Sequence, residues 1–88
     1  MWQIDYSKQA RKFIEKHERL EQAIFGLIRI FILKIQGTDV NIDVRKMKGE
    51  WEDYFRIRKG KLRIILKIDF DGKKVFVDKI DFRGDVYK

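Results

Sequence analysis

The chain has 88 residues, of which 44% are apolar and 40% are charged, and it carries a net charge of +7. This length predicts a single domain over residues 1–88 and leaves no room for separate catalytic and binding domains. With no cysteine and one histidine, the sequence excludes a disulfide framework and a thiolate nucleophile, argues against a zinc site, and predicts neither a metal nor another cofactor.

The N-terminal segment predicts one strand and one helix. Residues 2–6 alternate between apolar and polar side chains, as in a half-buried strand. Ser7 is a good N-cap for a helix that runs to His17. The apolar stripe of this helix is Ala10, Phe13, Ile14 and His17. Asp5 and Lys8 interrupt any apolar run, so we expect no signal peptide and a cytoplasmic location.

A second helix is predicted over residues 20–36, before Gly37, which is a common helix stop. Its main apolar stripe is Leu20, Ala23, Ile24, Leu27, Ile28, Phe31 and Ile35. Four further apolar residues lie off that stripe: Phe25, Ile30, Ile32 and Leu33. Either the helix is wedged between a sheet and the first helix, or a partner covers this surplus apolar surface. The apolar run is too short to span a bilayer, so no membrane partner is expected.

Strand-like segments fill the rest of the chain. They are residues 40–47, a hairpin over residues 51–69, a turn at Asp71-Gly72, and a last strand over residues 74–82, in which Val75, Val77 and Lys79 share one face. Strands grouped after helices indicate an α+β fold, in which a helical hairpin packs on one face of a small antiparallel sheet in the order βααβββ(β). The cations then belong on the opposite, exposed face.

The hairpin over residues 54–65 is the most informative segment. Gly60 provides the positive φ of a tight turn, which predicts a two-residue loop at Lys59-Gly60. That loop places Arg58 opposite Lys61, Arg56 opposite Arg63, and Tyr54 opposite Ile65. Like charges directly opposite each other destabilise a sheet. We therefore expect an anion over this face, and a polyphosphate is the obvious candidate.

The positive charge is concentrated in one part of the chain. Between Arg45 and Lys67 there are nine cations and three acids. A small domain with a local excess of this kind favours nucleic acid or an acidic protein as its partner, over a charge that only maintains solubility.

Standard catalytic signatures are absent from the sequence, which has no Gly-rich phosphate loop, nucleophile elbow or clearly spaced acid pair. His17 lies on a helix stripe and is interpreted as a core-edge residue rather than a base. Arg, Lys and Tyr suffice for cleavage of RNA by its own 2′-hydroxyl, which needs charge stabilisation and proton transfer but no metal. Arg83 and Tyr87, four residues apart, either belong to a frayed tail or close the basic face.

Four segments together resemble the RelE/ParE superfamily of type II toxins, and more closely its RelE side. They are Trp2 with Ser7 and Ala10; Lys46-Met47-Lys48-Gly49; Trp51 with Tyr54-Phe55-Arg56-Ile57-Arg58, Gly60 and Leu62-Arg63-Ile64-Ile65; and Arg83-Gly84-Asp85-Val86-Tyr87. The resemblance implies a compact βααβββ(β) fold, an antitoxin that wraps the toxin, and metal-independent cleavage of mRNA in the ribosomal A site.

The resemblance also implies roles for individual residues. Arg56 and Arg58 match a basic pair on the central strand, and Arg63 matches an arginine that contacts the scissile phosphate. Arg83 and Tyr87 match the C-terminal Arg and Tyr of these toxins. Those five residues are the candidate catalytic set. The candidates for contacts with message or ribosomal RNA are Lys46, Lys48 and Lys61.

The sequence departs from the family pattern at Phe82, where many relatives carry a histidine. Proton transfer would then fall to Lys or Tyr, or the rate would be low. Arginine hardly titrates, so Arg56 and Arg58 suit charge stabilisation better than base catalysis. The general base is open among Lys61, Lys48 and Glu52.

Two other functions are open at this point: a ParE-like inhibitor of DNA gyrase that uses the helices, and a catalytically inactive RNA-binding relative. Either toxin function predicts an acidic, partly disordered antitoxin as partner.

Overall fold

The computed structural model describes residues 2–82. Its helices and strands follow the predicted order, and the α+β class is confirmed. The elements are β1 (Gln3–Tyr6), α1 (Lys8–Lys16), α2 (Glu21–Ile35), β2 (Asp43–Lys46), β3 (Tyr54–Lys59), β4 (Leu62–Asp69) and β5 (Lys74–Phe82). Two candidate catalytic residues, Arg83 and Tyr87, lie outside the described residues.

The five strands form one sheet in the order β1-β5-β4-β3-β2. Neighbouring strands from β2 to β5 are antiparallel, as predicted, whereas β1 runs parallel to β5. The predicted antiparallel sheet is therefore confirmed for four strands, and β1 is a parallel addition at its edge. Alternation of side chains identifies a strand but not its direction, which here depends on how the two helices return the chain to the sheet.

Both helices pack on one face of the sheet and share an apolar core with it. The buried core residues are Ala10, Phe13, Ile24, Leu27, Ile28, Phe31 and Ile32 from the helices, and Ile57, Ile64, Leu66, Val75, Val77 and Ile80 from the strands. Ile32 thus belongs to the core, because it lies beside β1 at the edge of the sheet, whereas Ala23 of the predicted stripe is exposed. Within residues 2–82, neither helix is long and apolar enough to cross a membrane.

Ser7 connects β1, α1 and β5. Its Oγ accepts a hydrogen bond from the backbone N–H of Ala10 at 3.0 Å, as the predicted N-cap should. Its hydroxyl also donates to the carbonyl oxygen of Asp78 at 2.5 Å. Asp78 is the extra residue of a β-bulge in β5. Because the bulge interrupts the alternation, Lys79 lies on the face opposite Val77, and the prediction that they share a face is wrong.

The β3–β4 hairpin forms, but its register differs from the predicted one. The observed pairs are Lys59 with Leu62, Arg58 with Arg63, Arg56 with Ile65 and Tyr54 with Lys67. Gly60 and Lys61 are therefore the loop residues, and Gly60 has a φ of +58°. A type II′ turn needs a positive φ only at its first loop residue, so glycine alone meets the requirement. Moving the loop by one residue shifts each pair by two, so Arg58 rather than Arg56 faces Arg63.

Candidate functional site

The face of the sheet opposite the helices carries a concentration of cations. Side chains of a strand alternate between the two faces, so the cross-strand register assigns each residue to a face. The cations on this open face are Arg45, Arg56, Arg58, Arg63, Lys67, Lys74 and Lys79. Within the described part of the chain, the acids on it are Asp5, Asp43, Asp69 and Asp81. The cations outnumber the acids, so the open face attracts polyanions.

A row of paired residues crosses the open face near the β3–β4 turn: Asp43, Arg58, Arg63 and Asp81, which we call the charged row. Two carboxylates flank two arginines, so the repulsion between the arginines is partly compensated. Sequence reasoning missed both acids. The available signal was the position of Asp43 between two β-branched residues of a predicted strand, which places it on the polar face.

Asp43 holds arginines of β3 in place. Its Oδ2 accepts a hydrogen bond from Arg58 Nε at 2.9 Å, and its Oδ1 lies 3.7 Å from Arg56 Nη2. The side chains of Asp43 and Arg58 are 41% and 37% exposed. The pair is therefore accessible to a competing anion.

Arg56 is much less accessible, with 11% of its side chain exposed. Its Nε is buried and has no hydrogen-bond partner within residues 2–82. Ile65 lies opposite Arg56 on β4 and is fully buried, so the neighbour of Arg56 on that strand is an apolar side chain. A buried donor without an acceptor costs about 1–3 kcal/mol. An anionic oxygen at this position would remove that cost.

A cleft of about 340 Å³ opens beside Arg56. It is lined by Arg45, Lys46, Met47, Lys48 and Arg56. Every charged residue of this lining is a cation, which favours an anionic ligand. Lys61 lies apart from the cleft, in the exposed β3–β4 turn. The fold thus brings Lys46 and Lys48 to Arg56 but leaves Lys61 at the far end of the hairpin.

His17 and Phe82 lie on the helix side of the sheet. His17 Nδ1 is 2.8 Å from the carbonyl oxygen of Phe13, and the imidazole stacks on the Phe13 ring with centroids 4.1 Å apart. Phe82 meets the imidazole edge-on at 5.2 Å. His17 is therefore a core-edge residue, as interpreted from the sequence. Among residues 2–82, no group of three or more His, Cys, Asp or Glu side chains could hold a metal ion.

Several solved toxin structures are similar to this chain. The RelBE2 toxin–antitoxin complex from Mycobacterium tuberculosis aligns at 21% identity with a TM-score of 0.61, over 93% of this chain and 98% of that chain. The DinJ–YafQ complex from E. coli aligns at 15% identity with a TM-score of 0.71, over 99% and 98%. A metal-bound toxin from Helicobacter pylori aligns at 14% identity with a TM-score of 0.74, over 99% and 100%.

No protein-family model and no curated protein matches the sequence. The structural alignments nevertheless extend over nearly the whole of both chains. At identities this low, the similarity is one of backbone architecture: two helices packed with a five-stranded, mostly antiparallel sheet. The chain therefore has the fold of the RelE, YafQ, YoeB and ParE toxins.

Proposed function

We propose that this chain is the toxin of a type II toxin–antitoxin system and an endoribonuclease that cleaves mRNA in the ribosomal A site. The observation that carries the proposal is on the open face: among the described residues, the buried Nε of Arg56 has no acceptor, and the charged residues of the adjacent cleft are all cations. The fold supports the same function, because similar structures are those of toxins, and the RelBE2 and DinJ–YafQ structures are complexes of a toxin with its antitoxin. The proposed toxin is one domain, residues 1–88, and acts in the cytoplasm.

The proposed reaction needs no protein nucleophile. The 2′-oxygen of a nucleotide attacks the adjacent phosphorus, and the bond from phosphorus to the 5′-oxygen breaks, which leaves a 2′,3′-cyclic phosphate and a 5′-hydroxyl. One proton leaves the 2′-hydroxyl and one reaches the 5′-oxygen. Catalysis therefore consists of aligning the 2′-oxygen with the phosphorus, moving these protons, and stabilising the charge that grows on the phosphoryl oxygens.

Arg56, Arg58 and Arg63 are the proposed charge stabilisers. The planar guanidinium can bond two phosphoryl oxygens at once, and Arg56 has a buried donor for one of them. In this proposal Lys46 and Lys48 bind neighbouring backbone phosphates in the cleft. Arg83 and Tyr87 complete the proposed catalytic set.

Asp81 is the proposed acceptor of the 2′-hydroxyl proton. It lies opposite Arg63 in the charged row, whereas Lys61 and Glu52 lie in exposed turns and Lys48 lies in the cleft. Asp81→Asn keeps the shape of the side chain but removes the base. We expect this variant to bind RNA at least as tightly as the wild type and to cleave it at least about 100-fold more slowly. Cleavage at the wild-type rate would assign the proton transfer to another residue.

The proposed partner is an acidic, partly disordered antitoxin that lies across the open face and blocks RNA. Because the cations outnumber the acids there, charge attraction supports such a complex. Its affinity should fall as salt rises if charge pairing dominates, and should persist in high salt if apolar burial dominates.

The function is tested by expressing the chain from a tightly repressed promoter and mapping message ends in translating cells. Wild type should cut within translated frames, and Arg63→Ala should reduce cutting about 100- to 1,000-fold, as loss of a transition-state donor does. Arg11→Ala is the matched control, because it removes the same charge from the exposed face of α1. Intact messages with the wild type, or equal cutting by Arg63→Ala, would overturn the proposal.

A ParE-like inhibitor of DNA gyrase is the second candidate, and the apolar surface of α2 favours it. Phe25 and Leu33 are 46% and 43% exposed and line a groove of about 490 Å³ between α2 and β1. That function predicts growth arrest with intact messages and inhibited DNA supercoiling. In that case Arg63→Ala would stay toxic, whereas Leu33→Ser would lose toxicity.

A further inference from the structure

A second row of residues crosses the open face at the end away from the charged row. It consists of Tyr54, Lys67, Phe76 and Asp5, which are paired across β3, β4, β5 and β1, and we call it the aromatic row. Tyr54 is four residues from Arg58 along β3, a distance of about 13 Å at about 3.3 Å per residue. The two rows are therefore separated by a length that a short single strand of RNA can bridge.

Phe76 is an aromatic residue that lies outside the buried core. Its neighbours in sequence, Val75 and Val77, are fully buried against the helices, whereas Phe76 is 38% exposed on the open face. A β-branched residue would serve the strand equally well without exposing an aromatic ring among charges. The ring is thus available to a flat ligand.

Tyr54 provides the second aromatic ring of this row, and its ring contacts two other side chains. The Trp51 ring meets it at 74° with centroids 5.1 Å apart, and Lys67 Nζ lies 5.8 Å from its centroid. Tyr54 and Phe76 are two strands apart, which corresponds to about 10 Å. Lys67 is exposed and lies between them. Aromatic rings stack on bases and cations bind the backbone of single-stranded nucleic acid, so an ammonium between two rings suits the phosphate that joins two stacked bases.

A concavity of about 370 Å³ is present at the same place. Its lining is Asp5, Tyr54, Lys67, Ile68, Asp69, Lys74, Val75 and Phe76. The carboxylate of Asp5, next to Phe76, is oriented by the side-chain amide of Gln3, whose Nε2 lies 3.0 Å from Oδ1 and 3.4 Å from Oδ2. A carboxylate only accepts hydrogen bonds, so it favours a base edge with amino and imino donors, as guanine has, over the mostly accepting edge of uracil.

We propose that the aromatic row binds a nucleotide of single-stranded RNA that flanks the cleaved phosphate, with its base stacked on Phe76 and its edge read by Asp5. Lys67 and Lys74 bind the phosphates on either side of that nucleotide. This inference rests on the proposed function for its ligand, and it adds a base-reading subsite that the arginines of the charged row do not provide.

The test uses 2′-O-methyl RNA hexanucleotides, which bind but cannot be cleaved because the attacking hydroxyl is blocked. One base at a time is removed, and binding is followed by fluorescence anisotropy. For the wild type, loss of the base at one position should weaken binding about tenfold, as loss of a base–aromatic stack does. Phe76→Leu should bind the intact RNA about tenfold more weakly and be insensitive to that abasic site. Asp5→Ala should reduce the preference for guanosine over uridine at the same position.

Two further variants separate stacking from folding. Phe76→Trp retains a stacking surface and should restore the response to the abasic site. Phe70→Leu removes a ring that is 58% exposed in the β4–β5 turn and should match the wild type.

The outcomes separate this proposal from the proposed function. If each abasic site changes the RNA affinity of wild type and Phe76→Leu equally, the base subsite is overturned. That result would leave the endonuclease function untouched, because the message-mapping experiment tests it separately. A position-specific abasic effect that disappears in Phe76→Leu supports the subsite even if the wild type cuts no message, in which case the endonuclease function fails.

Discussion

Replacing Asp43 by asparagine should strengthen RNA binding although it removes a native ion pair. The carboxylate occupies arginines that a phosphate would use, at 2.9 Å from Arg58 Nε and 3.7 Å from Arg56 Nη2. The side chains of Asp43 and Arg58 are 41% and 37% exposed, so their pairing contributes about 0.2–1 kcal/mol to the free energy of unfolding. The asparagine oxygen can still accept a hydrogen bond from Arg58, so the loss of stability should stay within that range.

The gain in affinity follows from Coulomb's law. A phosphate bound to Arg58 or Arg56 would lie roughly 7 Å from the carboxylate, and the repulsion at the dielectric constant of water is about 0.6 kcal/mol. A dielectric constant near 20, as found close to protein surfaces, raises it to about 2.4 kcal/mol. Asp43→Asn should therefore bind RNA roughly 3- to 60-fold more tightly at low salt. The difference from wild type should shrink towards about 1 M salt, where charges are screened.

The assay is fluorescence anisotropy with a labelled 2′-O-methyl RNA across a salt series. Asp71→Asn is the matched control, because it changes the net charge equally but lies in the β4–β5 turn. If Asp43→Asn binds no more tightly than Asp71→Asn, Asp43 does not compete with phosphate, and the idea that RNA phosphates bind at Arg56 and Arg58 is refuted.

Three further predictions concern the scaffold. Ile64→Ala and Ile65→Ala should each lower the free energy of unfolding by about 2–5 kcal/mol in urea titrations, because both side chains are fully buried. Only Ile65→Ala should also weaken RNA binding, because Ile65 lies beside Arg56 on the open face. If the two variants bind RNA equally well, Ile65 does not support the arginines. Ser7→Ala should cost about 1–3 kcal/mol, because the cap and the bond to the bulge carbonyl are both lost; a loss below about 0.5 kcal/mol would contradict this.

Burial, and then the nearby charge of Glu21, raise the pKa of Tyr6 above 10.0. A raised pKa means that the folded state holds the proton more tightly than the unfolded state, so this contribution to stability is present below pH 10 and is lost as the pH rises through the raised pKa. Tyr6→Phe should therefore lose less stability than wild type between pH 8 and pH 11. Identical pH profiles in urea titrations would show that Tyr6 does not titrate differently on unfolding.

Local patterns were sufficient to predict the elements of the fold. The alternation around Tyr6 and Ile57, the helical spacing of Ala10 and Phe13, and the cap at Ser7 depend on residues a few positions apart. The basic face was predicted for the same reason, because the side of a strand to which Arg56 and Arg58 belong follows from the period of two. The sequence did not reveal that Ile32 would be buried, because that depends on β1, which is distant in the chain.

The sequence by itself determined which residues form strands and helices and that the arginines of β3 share one face. Only the tertiary structure decided what lies beside them. A loop shifted by one residue places Arg63 opposite Arg58, and a bulge at Asp78 moves Lys79 to the open face. Pairing with β2 brings Asp43 to the arginines. These placements depend on turn conformation and on contacts between strands far apart in sequence, which local periodicity does not encode.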